Sequence, residues 1–506
     1  MSSTTLAIGG SWLTLILSMC LTTIVLLLLL RRGKFLYALR KVPYPPAFPI
    51  IGNAYQLCCS PEESFKKMIK WGQELGDMYL VWVGMRPFIF LYKAEAIQPL
   101  LSSSIHIDKS LEYEYLLPWL GTGLVTSSGE KWHFRRKLLT PTFHSDLLEV
   151  YLKTAIREAK ILISCLRKEV GKPNFDIVPY AKRATLDIIC DSSMGCVVNA
   201  QTNFENEYVL AVNTLASILQ RRFLNVWMSF DPIFKLTTWG KQHDYALRVT
   251  HGFVNKIIAE RKAEWKSKKT GCSNERSQKR QALLDLLLEI SKDGEVLTDD
   301  DIRDEVNTFM FAGHDTTATS VSWILYALGR HPHYQEKILE EYDNVIGTKK
   351  LSLDILSKLT WLDACIKESW RVYPVTPLIA RQIYHPINIL GHDIPIGSTV
   401  LINSFLLHRD PRYFPEPDIY RPERFLPSGP KYPSYAFVPF SAGSRNCIGW
   451  RYGTIIVKVL ILHILKNYYV ESIDTEDQLR FISELVLHNV GGLRLKITPR
   501  KDATFI

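Results

Sequence analysis

The chain has 506 residues, of which 47% are hydrophobic and 22% are charged, and its formal net charge is +10. These values are typical of a globular protein with a large buried core. The densest basic stretch, residues 261–280, also carries acids and almost no large apolar residues, which predicts a solvated loop between helices. A membrane-surface or partner patch is the alternative for that stretch. No aromatic-rich basic module or zinc-finger spacing accompanies it, which argues against nucleic-acid binding.

The cysteines argue against a zinc cage and against a disulfide framework. Their number is odd, and no C-x-x-C pair occurs. Most of the chain is therefore expected to face a reducing compartment. The nine cysteines occupy positions 20, 58, 59, 165, 190, 196, 272, 365 and 447.

The N-terminus has the pattern of a membrane anchor. Residues 12–30 (WLTLILSMCLTTIVLLLLL) are mostly apolar, and as a helix they can cross a bilayer core of about 30 Å. Basic residues follow from Arg31 onward, which places the rest of the chain on the cytosolic side. The alternative is a cleaved signal peptide, but such a peptide normally carries its charges before a shorter apolar region. Residues 1–32 are therefore predicted to form an uncleaved transmembrane anchor.

A connector and a hairpin follow the anchor. Residues 41–53 (KVPYPPAFPIIGN) contain prolines that forbid a helix, so residues 33–53 are expected to be a basic and proline-rich hinge. Residues 78–92 contain two β-rich runs split by Gly84 and Pro87, which predicts a hairpin.

The remaining chain is mainly helical in spacing. Residues 130–345 and 351–373 contain few helix breakers, and short strand-like pieces return at 387–402. An apolar helix runs from beyond the cysteine at 447 to about residue 467, before a turn-rich β tail. No repeat or linker divides the soluble part. Residues 54–506 are therefore predicted to form one large domain, mainly α with a minor β region.

One long helix is predicted from about residue 299 to residue 329. Thr298 with Asp301 three positions later has the spacing of a helix cap. At about 1.5 Å per residue such a helix is over roughly 40 Å long and can cross the whole domain.

The middle of this helix, A-G-H-D-T-T at 312–317, is a poor helix sequence. Thr316 can donate to the carbonyl of Ala312 four residues earlier, and Gly313 permits a local bulge. A local bulge of this kind is expected to open the helix and to form a groove for a small ligand.

The stretch F-S-A-G-S-R-N-C-I-G, which begins at Phe440, gives Cys447 an unusual setting. A thiolate needs support from backbone N–H groups or the positive end of a helix before it can be a permanent metal ligand. Gly443 and Gly449 allow the backbone to turn tightly and to approach a flat ligand. Arg445 offers a fixed charge for a carboxylate, and Phe440 could pack against the sulfur.

The pattern F-x-x-G-x-R-x-C-x-G resembles the haem-binding loop of the cytochrome P450 superfamily, the haem-thiolate monooxygenases. The resemblance implies that Cys447 is the proximal iron ligand and that Arg445 contacts a haem propionate. It also implies the mainly α fold of that superfamily, bound to haem b. The alternative is a buried structural cysteine.

Further motifs carry the same resemblance. The stretch 312–317 is similar to the oxygen-activation motif of the family, which implies that Thr316 is the hydroxyl of that site and Asp315 the acid that relays protons. Ala312 and Gly313 then lie beside the haem. Taken alone, a Thr-Thr pair in a helix is most often structural.

Three other residues are implied to contact the haem. W-H-F-R-R, with Trp132 and Arg136 four positions apart, looks like the propionate clamp of the family. Arg381, in P-L-I-A-R, matches a further propionate contact. A surface arginine is the alternative at both arginine positions.

A structural cluster is also implied by the resemblance. E-S-W-R, with Glu368 and Arg371 on one helix face, resembles the E-x-x-R element of the family, and R-P-E-R-F supplies Arg424. The three side chains are expected to form an ion-pair cluster behind the haem. An isolated i,i+3 pair is otherwise usually a solvated surface bridge.

Within the superfamily, residues 305–317 resemble the signature of family four, which includes fatty-acid ω-hydroxylases and arthropod microsomal enzymes acting on lipids and foreign compounds. Two positions depart from it. Asn307 stands where the family usually has an acid, and Ala312 stands where many members have a glutamate that can form an ester bond to the haem. The haem is therefore expected not to be covalently attached through Ala312.

The resemblance implies a monooxygenase at the endoplasmic reticulum (microsomal) membrane, with its catalytic domain in the cytosol. O2 and a lipophilic substrate (a fatty acid, a hormone-like lipid, or a xenobiotic such as an insecticide) would react with NADPH-derived electrons. These electrons come from NADPH–cytochrome reductase, a flavoprotein, with cytochrome b5 as a second candidate donor. The alternatives are a haem-thiolate isomerase or dehydratase and a non-enzymatic haem-binding protein; the Asp315–Thr316 pair argues against the isomerase or dehydratase.

Two groups of residues follow as candidates for binding. The candidate docking charges for an acidic reductase, for which a solvated face is the alternative, are Arg135, Lys137, Lys431 and Arg451. The segments expected to shape the substrate pocket are 105–125, 205–235, 375–385 and 485–492. Their apolar character predicts a lipophilic substrate without naming it.

Overall fold

The computed structural model describes residues 2–143, 145–204, 206–270, 282–291, 294–347 and 349–501. The helices before residue 230 are α1 Ser2–Ala38, α2 Ala54–Leu57, α3 Pro61–Leu75, α4 Ala94–Leu101, α5 Leu117–Leu120, α6 Gly129–Leu139, α7 Ser145–Leu166, α8 Val178–Ile189 and α9 Glu207–Leu224. The later helices are α10 Asp231–Leu236, α11 Thr238–Thr270, α12 Leu283–Ser291, α13 Asp299–Arg330, α14 Pro332–Val345, α15 Leu353–Ser357, α16 Thr360–Val372, α17 Ser404–Leu407 and α18 Trp450–Asn467.

The strands form a minor part of the fold. They are β1 Met78–Val83, β2 Arg86–Leu91, β3 Phe175–Asp176, β4 Leu378–Gln382, β5 Ile387–Ile389, β6 His392–Ile394, β7 Thr399–Asn403, β8 Tyr468–Ser472, β9 Phe481–Glu484, β10 Val486–Asn489 and β11 Arg494–Pro499. The main sheet has the order β1-β2-β7-β4, in which only the β2–β7 pair is parallel among these described strands. A second sheet has the order β3-β11-β8, and β5-β6 and β9-β10 are hairpins. The predicted fold class, mainly α with a minor β region, is confirmed.

α1 is the apolar N-terminal helix that the sequence predicts. Its segment Thr14–Ala38 is long and apolar enough to cross a membrane. The boundary expected at residue 32 falls inside this helix, which continues to its last residue, Ala38. Arg32 lies over the ring of Trp82 at 4.7 Å, and Phe35 is buried against the main sheet. The end of α1 is therefore part of the folded domain, and the non-helical proline segment starts after it.

β1 and β2 form the hairpin predicted over residues 78–92. Gly84 occupies the turn with a φ of +61°, a value that a glycine adopts without strain. Pro87 lies inside β2, opposite Trp82, and not at the turn. The parallel pairing of β2 with β7 attaches the hairpin to β4, the strand that carries Arg381.

α13 is the long helix that the sequence predicts, and it crosses the core. Its 32 residues span roughly 48 Å. Thr298 and Asp301 form the expected capping box, with two side chain–backbone hydrogen bonds of 3.1 Å. Nearly every side chain beyond Glu305 is buried, where α8, α16 and α18 pack against the helix. The helix is continuous through residues 312–317, so the bulge expected at Gly313 does not interrupt it.

The basic stretch 261–280 is not a loop along its whole length. Residues 261–270 form the end of α11, so the expected loop was wrong there. Arg261 explains part of this difference, since its Nε lies 2.6 Å from Asp285 Oδ1 and joins α11 to α12. Residues 271–280 lie outside the described residues.

Glu368 and Arg371 on α16 form a fully buried ion pair. Arg371 Nε lies 2.7 Å from Glu368 Oε2, and its Nη2 lies 2.8 Å from Oε1. Arg424 Nε is 3.5 Å from Oε1, and the backbone N–H of Arg421 donates to the same oxygen at 2.7 Å. The expected three-residue cluster therefore forms. The remaining N–H groups of the Arg371 guanidinium donate to the carbonyls of His408, Pro417 and Ile419.

Glu368→Ala is expected to destabilise the fold by about 3–5 kcal/mol, because it leaves the buried charge of Arg371 without its partner. The measurement is the free energy of unfolding from a urea titration followed by circular dichroism. Asp354→Ala is the matched control, since it breaks an exposed i,i+4 pair with Lys358 and is expected to cost less than about 1 kcal/mol. Equal losses in the two variants would contradict a structural role for Glu368.

Candidate active site

A cavity of about 500 Å³ is lined by α13, by the main sheet and by residues 440–449, which we name the Cys447 loop. Most of the lining is aliphatic or aromatic, as is usual for sites that bind small apolar molecules. From α13 it includes Ala312, Gly313 and Thr316. The cavity therefore brings together the two motifs that the sequence analysis singled out on separate segments.

The Cys447 loop is a tight turn that leads directly into α18. The backbone N–H of Cys447 donates to the carbonyl of Phe440 at 2.9 Å, and that of Asn446 donates to Gly443 at 3.1 Å. Gly443 has a φ of +71°, and a Cβ on it would lie 1.7 Å from the carbonyl oxygen of Leu101. Both the backbone conformation and the close approach of α4 therefore require a glycine at this position.

The thiol of Cys447 opens onto the cavity, which is deep inside the protein. Burial raises its pKa, while the backbone N–H of Gly449 and the charge of Arg136 act in the opposite direction. These are the two kinds of support, a backbone donor at a helix start and a nearby cation, that favour a thiolate ligand.

α6 holds the Cys447 loop through Arg136. This side chain donates to the backbone oxygen of Asn446 at 2.8 Å and to its side-chain oxygen at 2.7 Å. Trp132, one turn earlier on α6, is buried, and the guanidinium of Arg445 lies 4.5 Å from its ring centroid. The W-x-x-x-R pattern thus contacts the loop from one side.

Arg445 forms hydrogen bonds that hold the segment before α6. It donates to the carbonyls of Ile107 at 3.0 Å and Leu124 at 3.1 Å, and to that of Ser127. Burial, followed by the charge of Arg381, lowers its pKa to about 9.

Arg381, which is buried, and Lys109, which is half-buried, complete a cluster of basic side chains at the same end of the cavity. Arg381 is 2% exposed, and burial lowers its pKa. Lys109 has a pKa far below its ordinary value because of burial and the charges of Arg381 and Arg445. Sequence reasoning missed Lys109, since a lone lysine inside the predicted pocket segment 105–125 has no distinguishing pattern. The lining here is strongly positive and suits an anionic group.

Phe440 lies at the cavity wall and contacts α16. Its ring is 4.9 Å from that of Trp370 in an edge-to-face arrangement. Trp370 Nε1 donates to Ser320 Oγ on α13 at 2.7 Å. Phe440 is therefore fixed by packing that connects the Cys447 loop to α16 and, through Trp370, to α13.

The centre of α13 shows the expected side chain–backbone contact. Thr316 Oγ1 donates to the carbonyl of Ala312 at 2.6 Å. Gly313 packs closely against α8, since a Cβ there would lie 2.6 Å from Cδ1, the flexible end of the Ile189 side chain. The methyl group of Ala312 offers the cavity no carboxylate.

Asp315 does not line the cavity. Its carboxylate is fully buried on the α8 side of α13, where Oδ1 lies 2.6 Å from Nζ of Lys182. Asn307 is likewise buried outside the cavity lining. The structure therefore separates Asp315 from Thr316, which points into the cavity.

The four expected pocket segments all contribute to the lining, for example through Leu116, Phe223, Ile379 and Val486. Sequence reasoning missed a further wall, because these residues belong to ordinary apolar elements without a motif. This wall comes from α2, α3, β1 and β2 and includes Leu57, Met68, Val81, Phe88 and Phe90.

Arg135 is not a surface docking charge. It is 4% exposed, and its Nη2 lies 2.6 Å from Asp301 Oδ1 at the start of α13. Successive residues of a helix point in different directions, so Arg135 faces Asp301 while Arg136 faces the Cys447 loop. The prediction that Arg135 is a docking charge was therefore wrong. The other candidate charges, Lys137, Lys431 and Arg451, are exposed.

The chain is similar to known proteins over most of its length. A family model described as Cytochrome P450 matches residues 42–495. Cytochrome P450 4c3 of Drosophila melanogaster is 40% identical over 490 residues, covering 93% of this chain and 91% of that protein. Cytochrome P450 4V2 of Mus musculus is 40% identical over 468 residues, covering 90% and 89%. Cytochrome P450 4c21 of Blattella germanica is 37% identical over 474 residues, covering 91% and 94%.

Gly443→Ala is expected to destabilise the protein by more than about 3 kcal/mol, because the new Cβ collides with the Leu101 carbonyl at an unfavourable φ. Gly391→Ala is the control, since Gly391 has a φ of +79° but open space around it, and its cost is expected to stay near 1–2 kcal/mol. Urea unfolding of both variants measures the difference. A Gly443→Ala variant no less stable than Gly391→Ala would show that the loop tolerates a side chain there.

Proposed function

Because the chain belongs to the cytochrome P450 family, we propose that it is a membrane-anchored haem-thiolate monooxygenase that inserts one oxygen atom from O2 into a lipophilic substrate. The observation that carries this proposal is the thiol of Cys447, which opens onto an apolar cavity also lined by Thr316. When bound, haem b would supply the iron at which O2 is activated. The protein would contribute the cysteine that binds the iron, the cavity and the groups that donate or accept protons.

The residues around the cavity fit a haem. The group is flat and apolar with two carboxylates at one edge, and the cavity is apolar with buried and half-buried cations at one end. These cations form no ion pair with an acid among the described residues, so the ligand would provide the missing negative charge. The side chains proposed to hold the propionates are Trp132, Arg136, Arg381 and Arg445, to which Lys109 is added, with Phe440 beside the sulfur of Cys447.

Thr316 is the proposed polar group of the oxygen site. Its hydroxyl is held by the carbonyl of Ala312 and lines an otherwise apolar part of the cavity, next to Gly313. A hydroxyl fixed in this way can exchange hydrogen bonds with a small polar molecule above the haem. Asp315 is the proposed acid that exchanges protons with this site.

The proposed substrate is lipophilic: a fatty acid, a hormone-like lipid, or a xenobiotic such as an insecticide. The apolar cavity lining supports this class, and a substrate of this kind partitions into the membrane that α1 is proposed to span. A second exposed apolar surface supports membrane contact near the cavity, because Phe223 and Leu224 line the cavity just before it. The large exposed side chains of that surface are Trp227, Phe230, Ile233 and Leu236.

The proposed electron donors are NADPH–cytochrome reductase and cytochrome b5. The basic residues after Leu30 support a cytosolic catalytic domain at the endoplasmic reticulum membrane. Lys137 is exposed next to Arg136, which contacts the Cys447 loop, and Arg451 is exposed in the first turn of α18. An acidic donor that docks on these charges would lie close to the ligand cysteine.

Reconstitution with NADPH, reductase and a panel of the three lipid classes tests the proposal. The wild-type enzyme is expected to consume O2 and to form a product that carries one atom of labelled O2. Thr316→Ala is expected to lower the product formed per NADPH by about tenfold or more, with the electrons released as hydrogen peroxide. Ser322→Ala is the control, because it removes the same i−4 hydrogen bond on α13, outside the cavity lining.

Two outcomes would contradict the proposal. A product formed without NADPH or O2 would indicate an isomerase or dehydratase. Haem binding without turnover of any of the three lipid classes, and without NADPH-dependent O2 consumption, would indicate a non-enzymatic haem protein.

Acid-acetone extraction tests the attachment of the haem. The haem is expected to leave the polypeptide completely, because Ala312 has no carboxylate with which to form an ester. Absorbance of the organic and protein phases measures the distribution. Haem that stays with the polypeptide would refute a non-covalent cofactor and would be located by peptide mass spectrometry.

A further inference from the structure

The cavity wall contains a carboxylate that the proposed haem and oxygen sites do not use. Among the described residues that line the cavity, Glu112 is the one acid. It lies in the short 3-10 helix Leu111–Leu116, within the expected pocket segment 105–125. Its side chain is 19% exposed, but its Oε2 atom is buried and has no hydrogen-bond partner among the described residues. The cavity therefore contains a polar atom whose partner the protein does not supply.

The other carboxylate oxygen of Glu112 is held by the main sheet. Arg86 Nη1, at the start of β2, lies 2.7 Å from Glu112 Oε1. The Nη2 atom of the same guanidinium donates to Thr399 Oγ1 on β7 at 3.1 Å. Arg86 is thus shared between the sheet and one oxygen of Glu112, and Oε2 is left without a partner.

Lys109 does not serve Oε2 either, although it is three residues earlier in the chain. Its ammonium group lies 4.5 Å from the centroid of the Tyr113 ring, and it forms no ion pair with Glu112 in the described structure. Ser110 is a second polar residue of this segment, 2% exposed, whose Oγ also lines the cavity without a hydrogen-bond partner. The segment therefore offers the cavity an acceptor at Glu112 and a hydroxyl at Ser110.

The charges around Oε2 restrict the kind of group that can bind there. An ionised carboxylate accepts hydrogen bonds and donates none, so its partner must be a donor. An anionic group, such as the carboxylate of a free fatty acid, would be repelled by Glu112. A cationic group would meet the charge of Arg86, which already balances that of Glu112. A neutral hydroxyl group meets neither obstacle, and it would remove the cost of a buried acceptor without a partner.

We propose that Glu112 Oε2 binds a hydroxyl group of the substrate, so that the enzyme acts on a neutral lipid alcohol in preference to a free fatty acid. This inference rests on the proposed function and narrows its substrate class. Binding the hydroxyl at one fixed point of the wall also determines which carbon of the chain lies at the reacting end of the cavity. Glu112 is then a specificity-determining residue.

Binding to the purified haem protein tests the inference without turnover. Decanol and its isomer methyl nonyl ether have the same atoms, but only decanol can donate a hydrogen bond. Their dissociation constants, and that of decanoic acid, are measured by equilibrium dialysis. The wild-type protein is expected to bind decanol about tenfold or more tightly than the ether or the acid, because the hydrogen bond is made to a charged acceptor.

Two variants of Glu112 remove the preference in different ways. Glu112→Ala deletes the acceptor and is expected to bind the two isomers within about twofold of each other, and to bind decanoic acid more tightly than the wild type does. Glu112→Gln keeps the shape, and its amide oxygen is expected to stay with Arg86, so that an N–H group replaces Oε2 and the preference for decanol is lost as well. Any contact of decanol with the haem iron is the same in all three proteins.

Glu114→Gln is the matched control. Glu114 is an exposed acid of the same 3-10 helix, outside the lining of this cavity, and its variant is expected to keep the full preference for decanol. Equal binding of the two isomers by the wild-type protein would show that Oε2 is served by water only and would overturn the inference. A preference that survives in both Glu112→Ala and Glu112→Gln would overturn it too.

Turnover with NADPH and reductase separates this inference from the proposed function. The wild-type enzyme is expected to oxidise decanol at a narrow range of carbons, and Glu112→Ala at a wider range, as mass spectrometry of the products measures. An equally narrow range in Glu112→Ala would contradict the role of Glu112 in specificity. A preference for decanol in binding, without oxidation of any lipid, would support the hydroxyl site and contradict the monooxygenase. Oxidation of lipids without that preference would do the reverse.

Discussion

Four basic side chains lie at one end of the cavity: Lys109, Arg136, Arg381 and Arg445. No carboxylate among the described residues forms an ion pair with them. Arg445 and Arg136 satisfy their N–H groups with backbone and amide oxygens of the Cys447 loop and of the segment before α6. The same contacts shape the cavity wall and position Cys447. Cations buried in this way repel one another, and an anionic ligand that binds between them stabilises the fold by mass action. Cofactor binding and the order of these loops are therefore expected to be coupled.

α13 has two faces with opposite chemistry. One face presents Ala312, Gly313 and Thr316 to an apolar cavity, and the other buries Asp315 against Lys182. An unpaired polar group inside a protein is costly, and Thr316 and Asp315 each have a partner. Thr316 uses the carbonyl of Ala312, and Asp315 uses an ammonium group from a neighbouring helix. The acid and the alcohol are adjacent in sequence but lie in different environments.

Features set by local chemistry could be predicted from the sequence. The capping box at Thr298, the hydrogen bond from Thr316 to Ala312 and the hairpin at Gly84 each depend on residues a few positions apart. Features that depend on residues far apart in the sequence could not be predicted from it. Lys109, Lys182 and Arg135 are ordinary basic residues in the sequence, and their burial follows from the helices and loops that surround them. The bulge expected at Gly313 does not form, because α13 is continuous there and packs against Ile189 of α8, a contact that the sequence does not show.

The overlap between α1 and the main sheet has a practical meaning. The segment that can cross a bilayer ends at Ala38, yet Arg32 already stacks on Trp82 and Phe35 is buried in the sheet core. With α1 spanning a membrane as proposed, the main sheet would lie directly at the lipid surface. A soluble version of the enzyme should accordingly be cut before Arg31, since a cut in the proline segment would uncover the apolar face of the sheet.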